Sequence, residues 1–483
     1  MDQKKEKQSG KHKKDSKTSY HVDGKQNSDT YQGFQSKDPI VAITLPEKKS
    51  HGLEAGAHGL EIEHPTSFLE TLMHLFKGNV GSGMFAMGDA FKNAGLIFAP
   101  IVTLFLGVVC VHSQHLLLRA SQEMMRRTQC DLAPDYAETV ELTFSTGPQS
   151  MRRFAPTMRR LCNLFLCITQ LGFCCVYFVF ISDNVEQVAN HFDVKLSNKY
   201  WMMIALVPIL LSALIRNLKY LTPLSMAANC CMISGIIITF YFTSSGLPHP
   251  RERDYVASPA LMPLYFGTAI FAFEGIGLVL PLRNEMRKPD KFGTPLGVLN
   301  IGMSIVTVLL ICIGFMSYLK YGDDIKGSVT LNFEKDGNQM LARIVIIIIS
   351  CGVLLGYALQ FYIPISIMWP AITEKFGPFK WPVVGELCFR TICVLLTFTL
   401  AELIPFLESF ISLVGAVSST ALALIFPPIL ELVIISQAQT KDSHRWIILK
   451  NAFIIIVGLL GFATGTYASI GQIMQKYQDQ KDE

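Results

Sequence analysis

The feature that most constrains the fold of this chain is a series of long apolar stretches with few charged side chains, most of them 18 residues or longer. The hydrocarbon core of a bilayer is about 30 Å thick, and a helix of about 20 apolar residues spans it. Half of the 483 residues are hydrophobic, and only 17% are charged. We therefore predict an all-α integral membrane protein with eleven transmembrane helices. The predicted spans are residues 68–92, 96–118, 161–189, 200–216, 222–244, 262–282, 294–318, 340–369, 386–404, 406–434 and 446–472.

The segment before the first span has a different composition. Residues 1–67 contain eleven Lys against ten Asp plus Glu, with few apolar side chains to bury. A segment of this kind stays unfolded, so we predict a disordered N-terminal tail. Within it, Tyr31-Gln32-Gly33-Phe34 matches the tyrosine-x-x-bulky pattern that endosomal sorting adaptors read, a short pattern that is common by chance.

The basic residues of the loops indicate the orientation. They concentrate in the loops after the even-numbered spans, and the longest of these, 119–160, contains seven arginines. Cytoplasmic loops carry such an excess, so the N-terminal tail is predicted to be cytoplasmic. An odd number of spans then places residues 473–483 as a short tail on the non-cytoplasmic side. The net charge of +4 lies in loops and tail, and we expect no nucleic-acid partner.

The first span contains a sequence that does not favour a continuous helix, HLFKGNVGSGMF. Each of its three glycines disfavours helix by about 1 kcal/mol relative to alanine. Lipid cannot hydrogen-bond the backbone groups that a broken helix exposes, so a break is tolerated only inside protein or beside a cavity. We predict that this segment is unwound and faces a ligand. The predicted binding residues are Gly78, Asn79, Val80, Gly81, Ser82 and Gly83.

The sixth span contains a second such segment, FAFEGIGLVLP, with Glu274 near its middle. A carboxylate at this depth costs at least about 2.5 kcal/mol unless it faces the bundle interior or water. We predict that Phe273, Glu274, Gly275 and Gly277 complete the binding site. The alternative is that both glycine-rich spans only allow close helix packing.

The spacing of the two segments predicts an internal repeat. They lie five spans apart and cross in opposite directions, as two inverted repeats would place them. Residues 68–244 would form the first repeat and 262–434 the second, with 446–472 as an additional span.

The chemistry of the two breaks suits a small zwitterion. Free N–H groups and the positive end of the half-helix that starts near Gly83 would bind a carboxylate. Carbonyl groups freed at the second break would bind an ammonium group. Glycines let the backbone approach a ligand closely, which indicates a small amino acid.

A proton is the favoured coupling ion. His74 is the first candidate because imidazole changes charge between pH 5 and 8, and Glu274 is the second. His74 would otherwise bond a neighbouring helix carbonyl, and Glu274 would otherwise pair with Lys77. A sodium site beside the eighth span would need hydroxyl oxygens, and residues 351–364 contain no Ser or Thr.

Metal and enzyme chemistry have no basis in the sequence. The twelve cysteines include no CxxC motif and no Cys/His set at metal-ligand spacing, and no HExxH motif or paired aspartates lie within the spans. We predict that the chain is not an enzyme and has no cofactor apart from protons as the coupling ion.

Five segments resemble the proton-coupled amino acid transporter family, of the amino acid/auxin permease group. Their sequences are most similar to those of its insect members. The resemblance covers residues 66–472 and implies eleven spans with a leucine-transporter-like 5+5 inverted repeat plus one helix. It also implies that His74 matches the proton-linked histidine of the family, whereas Asp89 stands where relatives have an apolar residue. The segments are HLFKGNVGSG, TQLGFCCVYFVFISDN, FGTAIFAFEGIGLVLPL, YALQFYIP and ISLVGAVSSTALALIFPPILE.

The function that this resemblance implies is symport of protons with small neutral amino acids such as glycine, alanine and proline. The implied location is the plasma membrane, the lysosomal or late endosomal membrane, or both. The alternative is an amino-acid sensor with little net flux that signals growth. Membrane lipid is an expected partner, and the N-terminal tail is a candidate binding segment for endosomal adaptors or growth-signalling proteins.

Overall fold

The structure, a computed structural model, describes residues 65–129, 133–216, 218–335, 338–377, 379–437 and 445–482. Most of the predicted N-terminal tail, including Tyr31 and Phe34, lies outside the described residues. Its disorder and its sorting pattern therefore stay predictions.

The described part of the chain is almost entirely helical, because a helix satisfies its own backbone polar groups in lipid. Its α-helices are α1 (Phe68–Asn79), α2 (Ser82–Phe85), α3 (Met87–Ala94), α4 (Phe98–Thr128), α5 (Tyr136–Ser145), α6 (Gln149–Arg152), α7 (Ala155–His191), α8 (Asn198–Ala213), α9 (Leu218–Ser244), α10 (Met262–Ala272), α11 (Ile276–Glu285), α12 (Val298–Tyr321), α13 (Gln339–Phe376), α14 (Pro382–Leu403), α15 (Leu407–Val414), α16 (Phe426–Ile435) and α17 (Arg445–Asp482). Two π-helical segments, Gly415–Ser419 and Ala421–Ile425, join α15 to α16.

Nine helical segments in the described ranges are long and apolar enough to cross a membrane, judged by length and composition alone. The other two predicted spans correspond to the interrupted segment α1–α3 and to α8, a shorter apolar helix. The count of eleven transmembrane helices therefore stays a prediction.

Helix α10, the first half of an interrupted helix, and the long helix α7 each pack against several other helices. Helix α10 packs against α3, α15 and α17, and α7 packs against α5, α8 and α13. The two interrupted helices are also joined where α1 begins and α11 ends. Thr66 N donates a hydrogen bond to Glu285 O (2.9 Å), and Arg287 N donates one to Thr66 O (2.9 Å).

The predicted additional span, α17, covers the side of α10 and α15. Ser469 Oγ donates to Ser412 Oγ (2.9 Å), and Ser412 Oγ donates to Leu264 O (3.0 Å) in α10. The side chain of Phe266, also in α10, lies directly against Gly461. The helix continues to Asp482, through the residues predicted as the C-terminal tail.

Arg390 forms a buried ion pair within α14 and joins this helix to the end of α8. Arg390 Nε donates to Glu386 Oε1 (2.9 Å), and both side chains are largely shielded from solvent. Arg390 also donates to Ala213 O (2.9 Å), one of the carbonyls that a helix end leaves unpaired.

Candidate functional site

The first glycine-rich segment is interrupted between α1 and α2. The chain leaves α1 at Asn79, and Val80 and Gly81 are extended before α2 begins at Ser82. No side-chain cap bonds the start of α2, and the first N–H groups of a helix have no partner within the helix. This stretch therefore presents backbone N–H groups beside the break.

The second segment is interrupted between α10 and α11. Helix α10 ends at Ala272, Gly275 has φ −173° and ψ 0°, and α11 begins at Ile276. Glu274 N donates to Phe271 O (3.2 Å), which closes the last turn of α10. Carbonyl groups at the end of a helix lack intrahelical donors, so this stretch presents acceptors.

The two breaks lie against each other. A Cβ atom placed on Gly275 would lie 2.6 Å from Asn79 Oδ1, and one placed on Gly83 would lie 2.9 Å from Phe271 Cδ1. Such short distances leave no room for side chains at these glycines. Asn79 is fixed in place because its Nδ2 donates to Leu75 O (2.9 Å).

A small cavity lies where the breaks meet. In this conformation it has about 10 Å³ of free space, roughly enough for one water molecule. A bound solute larger than water would therefore require the surrounding side chains to move. Its lining comes from both breaks and from two further helices: Lys77, Gly78, Asn79, Gly81, Ser82, Gly83, Phe271, Ala272, Glu274, Phe173, Tyr177 and Gln360.

The cavity contains polar atoms that lack a partner. Lys77 Nζ, Ser82 Oγ, Asn79 Oδ1 and Glu274 Oε2 are buried and make no hydrogen bond within the described part of the chain. Buried polar groups normally do have partners. This cluster is therefore the part of the described structure best equipped to bind a polar solute.

His74 lies outside the cavity lining, one turn of α1 before Lys77. It is partly buried, and its charge interacts with those of Lys77 and Glu70 on the same helix. Val80, Phe273, Gly275 and Gly277, also predicted from the sequence, flank the cavity without lining it. The structure thus brings most of the predicted residues together and places His74 one turn of α1 before them.

Sequence reasoning missed the aromatic walls of the cavity. Phe173 and Tyr177 come from α7, and the rings of Phe173 and Phe271 are 4.4 Å apart between centroids. It also missed Ser419 as a residue of the site. Ser419 belongs to the first π-helical segment and lies beside Glu274. π-Helical turns occur often at functional sites, and this one brings a hydroxyl to the cavity carboxylate.

Other candidate sites are less supported. A larger open cavity of about 700 Å³, lined by Arg160, Ala371, Glu374 and Lys375, lies away from both breaks. No group of His, Cys, Asp and Glu side chains in the described ranges is arranged to hold a metal ion.

Comparisons with known proteins place this chain among transporters. The profile of the family described as "Transmembrane amino acid transporter protein" matches residues 64–471. The Drosophila melanogaster "Proton-coupled amino acid transporter-like protein pathetic" is 36% identical over 420 residues, which are 87% of this chain and 88% of the relative. The Caenorhabditis elegans "Probable amino acid transporter skat-1" is 26% identical over 84% of this chain and 90% of its own length.

The fold also has a counterpart among solved structures. Mhp1, a nucleobase-cation-symport-1 family transporter solved in a closed conformation with bromovinylhydantoin bound, matches with a TM-score of 0.50 and 11% identity. The match covers 87% of this chain and 95% of Mhp1. The predicted fold class, an all-α membrane protein of leucine-transporter-like architecture, is confirmed.

Proposed function

Because the chain belongs to the transmembrane amino acid transporter family, we propose that it carries small neutral amino acids across a membrane together with protons, by alternating access. The family is one of transporters, which confirms that the chain is not an enzyme. The main support for the proposal is structural: two interrupted helices meet at one cavity, and four polar atoms of that cavity have no hydrogen-bond partner among the described residues. Interrupted helices near the midplane form the substrate sites of such transporters.

The substrate class follows from the groups that face the cavity. Backbone N–H groups at Ser82 and Gly83 would receive the carboxylate of an amino acid, and carbonyls at the end of α10 would receive its ammonium group. Phe173 and Tyr177 would cover the side chain. The glycines at the two breaks bring the backbone close to any ligand and leave little room for its side chain, so glycine, alanine and proline are the proposed substrates.

The proton would be carried by the ionisable groups beside the break. Glu274 is buried in the cavity, and His74 lies one turn of α1 before Lys77, which lines the cavity. The Drosophila relative bears a proton-coupled name, which supports the same choice of ion. We further propose that the N-terminus is cytoplasmic and that the protein works in the plasma membrane, the lysosomal or late endosomal membrane, or both.

Uptake measurements test this function. Labelled glycine, alanine and proline are supplied to cells that carry the protein at their surface, at external pH 5.5 and 7.5, with and without sodium. We expect uptake that rises at pH 5.5, is independent of sodium and is lost in His74→Ala. The control His249→Ala changes a histidine in the exposed loop after α9 and should leave uptake unchanged.

The outcomes separate the alternatives. Uptake that is the same at both pH values would refute proton coupling while leaving amino acid transport intact. Saturable binding of glycine without uptake would refute transport and favour the sensor.

A further inference from the structure

The cavity between the breaks contains one basic and one acidic side chain that are not paired with each other. Lys77 Nζ and Glu274 Oε2 are both buried, both belong to residues that line the cavity, and neither has a hydrogen-bond partner within the described ranges. An ion pair between Lys77 and Glu274, expected from the sequence as one alternative, is therefore not formed in this conformation.

No charged protein group among the described residues supplies the missing partners, although the neutral hydroxyl of Ser419 lies beside Glu274. The ionisable residues that share a helix face with Lys77 are His74 and Glu70, and Glu70 is committed to the N-cap of α1, where it accepts from Ser67 N (2.7 Å). The other lining residues from α7, α10 and α13 are neutral: Phe173, Tyr177, Phe271, Ala272 and Gln360. The lining thus offers one basic and one acidic side chain to whatever occupies the cavity.

Charge balance then selects the occupant. A buried charge left without a partner is strongly destabilising, whereas a partnered and hydrogen-bonded one is tolerated. A zwitterion adds no net charge to the site: its carboxylate pairs with Lys77, and its ammonium group is received by the carbonyl groups at the end of α10, close to Glu274. An amine without a carboxylate would leave Lys77 unpaired and add a net positive charge.

Resting on the proposed function, we propose that Lys77 is the counter-charge for the carboxylate of the substrate and thereby determines the specificity for zwitterions. Ser82 Oγ, buried and unpartnered in the same cavity, is a second donor for that carboxylate. The role of the free N–H groups at the break is then to orient the carboxylate, and the role of Lys77 is to neutralise it.

Competition between glycine and glycinamide tests the proposal, because glycinamide keeps the ammonium group and replaces the carboxylate with a neutral amide. Each is used unlabelled to inhibit uptake of labelled glycine at pH 5.5, and the ratio of the two half-inhibition concentrations is measured. The wild type should prefer glycine, and Lys77→Gln should reduce that preference about 10- to 100-fold, the range expected for one charge-assisted hydrogen bond. Lys77→Arg should retain most of it.

The matched control is Lys92→Gln. Lys92 lies in α3, and its Nζ donates to Asp323 O (3.1 Å), away from the cavity. It should keep the wild-type preference. If Lys77→Gln shows too little uptake to measure, the ratio is taken from glycine- and glycinamide-induced thermal stabilisation of the purified variant.

The results separate this proposal from the proposed function. If Lys77→Gln takes up amino acids and prefers glycine to glycinamide as strongly as the wild type does, the role of Lys77 is refuted and the proposed function stands. A wild type that glycine and glycinamide inhibit equally would also refute it, without recourse to any variant. A wild type that neither binds nor transports any amino acid would refute both.

Discussion

The backbone of α10 lies very close to that of the first π-helical segment, where Gly267 faces Gly415. Replacing Gly415 with alanine, which adds one methyl group, tests this contact. A Cβ atom on Gly415 would overlap the carbonyl oxygen of Gly267 and would lie 2.8 Å from its carbonyl carbon and 2.9 Å from Phe271 Cβ. Real Cβ atoms essentially never approach a neighbour within 3.0 Å. Gly415→Ala therefore cannot be accommodated by a rotation of side chains.

The size of the effect follows from the geometry. Restoring normal contact requires α10 to move away by about 1 Å, and overpacking of this kind costs about 1–3 kcal/mol. Because Phe271 forms part of the cavity wall, the same movement displaces the binding groups. A misplacement of about 1 Å can reduce a reaction rate about 100-fold, so we expect glycine uptake to fall at least tenfold.

The assay compares Gly415→Ala with Gly471→Ala, for uptake at equal surface level and for thermal unfolding of the purified protein. Gly471 lies in α17, and a Cβ atom there would meet nothing within 4 Å. Alanine at that position should stabilise the helix by up to about 1 kcal/mol. If Gly415→Ala unfolds and transports like Gly471→Ala, the close approach of α10 does not hold the site in place and the reasoning is wrong.

Three further predictions concern other parts of the structure. Glu386→Gln leaves buried Arg390 without its carboxylate partner and should lower the unfolding free energy by about 3–5 kcal/mol. The control Lys199→Gln removes an exposed ion pair of 3.9 Å and should change the unfolding free energy by less than about 1 kcal/mol. Equal shifts in thermal unfolding of the two variants would contradict this. Phe173→Ala removes part of the cavity wall, so unlabelled leucine should compete with labelled glycine at least about tenfold better, and unchanged competition would show that Phe173 does not limit substrate size. Asn79→Leu keeps the approximate size but removes both polar ends, and uptake should fall at least about tenfold by loss of a buried hydrogen bond and a binding group; normal uptake at normal surface level would exclude Asn79 from the site.

The sequence predicted where the helices break but not what surrounds the breaks. Glycines next to His74, Lys77 and Glu274 are unfavourable in a lipid-facing helix. Because these residues are close together in the sequence, a single sequence is enough to reveal the pattern. The walls from α7 give no such signal. Every residue of α7 from Gly172 to Ser182 is buried, so the apolar residues there show no periodicity that separates the face towards the cavity from the faces towards other helices.

The predicted bounds of a span also differ from those of the helix that contains it. The last span was predicted to end at residue 472, and α17 continues to Asp482. Hydropathy marks the part of a helix that lies in hydrocarbon, whereas hydrogen bonding continues into the polar residues beyond it. The π-helical turns that bring Ser419 to Glu274 were also out of reach, because no residue pattern in 415–425 distinguishes a π-turn from an α-turn.

The position of α17 has a consequence for biogenesis. Among the described helices it is the last to leave the ribosome, and until it inserts, Phe266 of α10 and the hydroxyl of Ser412 lack their neighbours on that side. A chain that stops before residue 445 would contain every residue that lines the cavity and would still leave one side of α10, the half-helix that carries Phe271, without its covering helix. Premature termination late in the coding sequence should therefore yield a protein that retains its whole binding sequence yet is recognised by membrane quality control as unassembled.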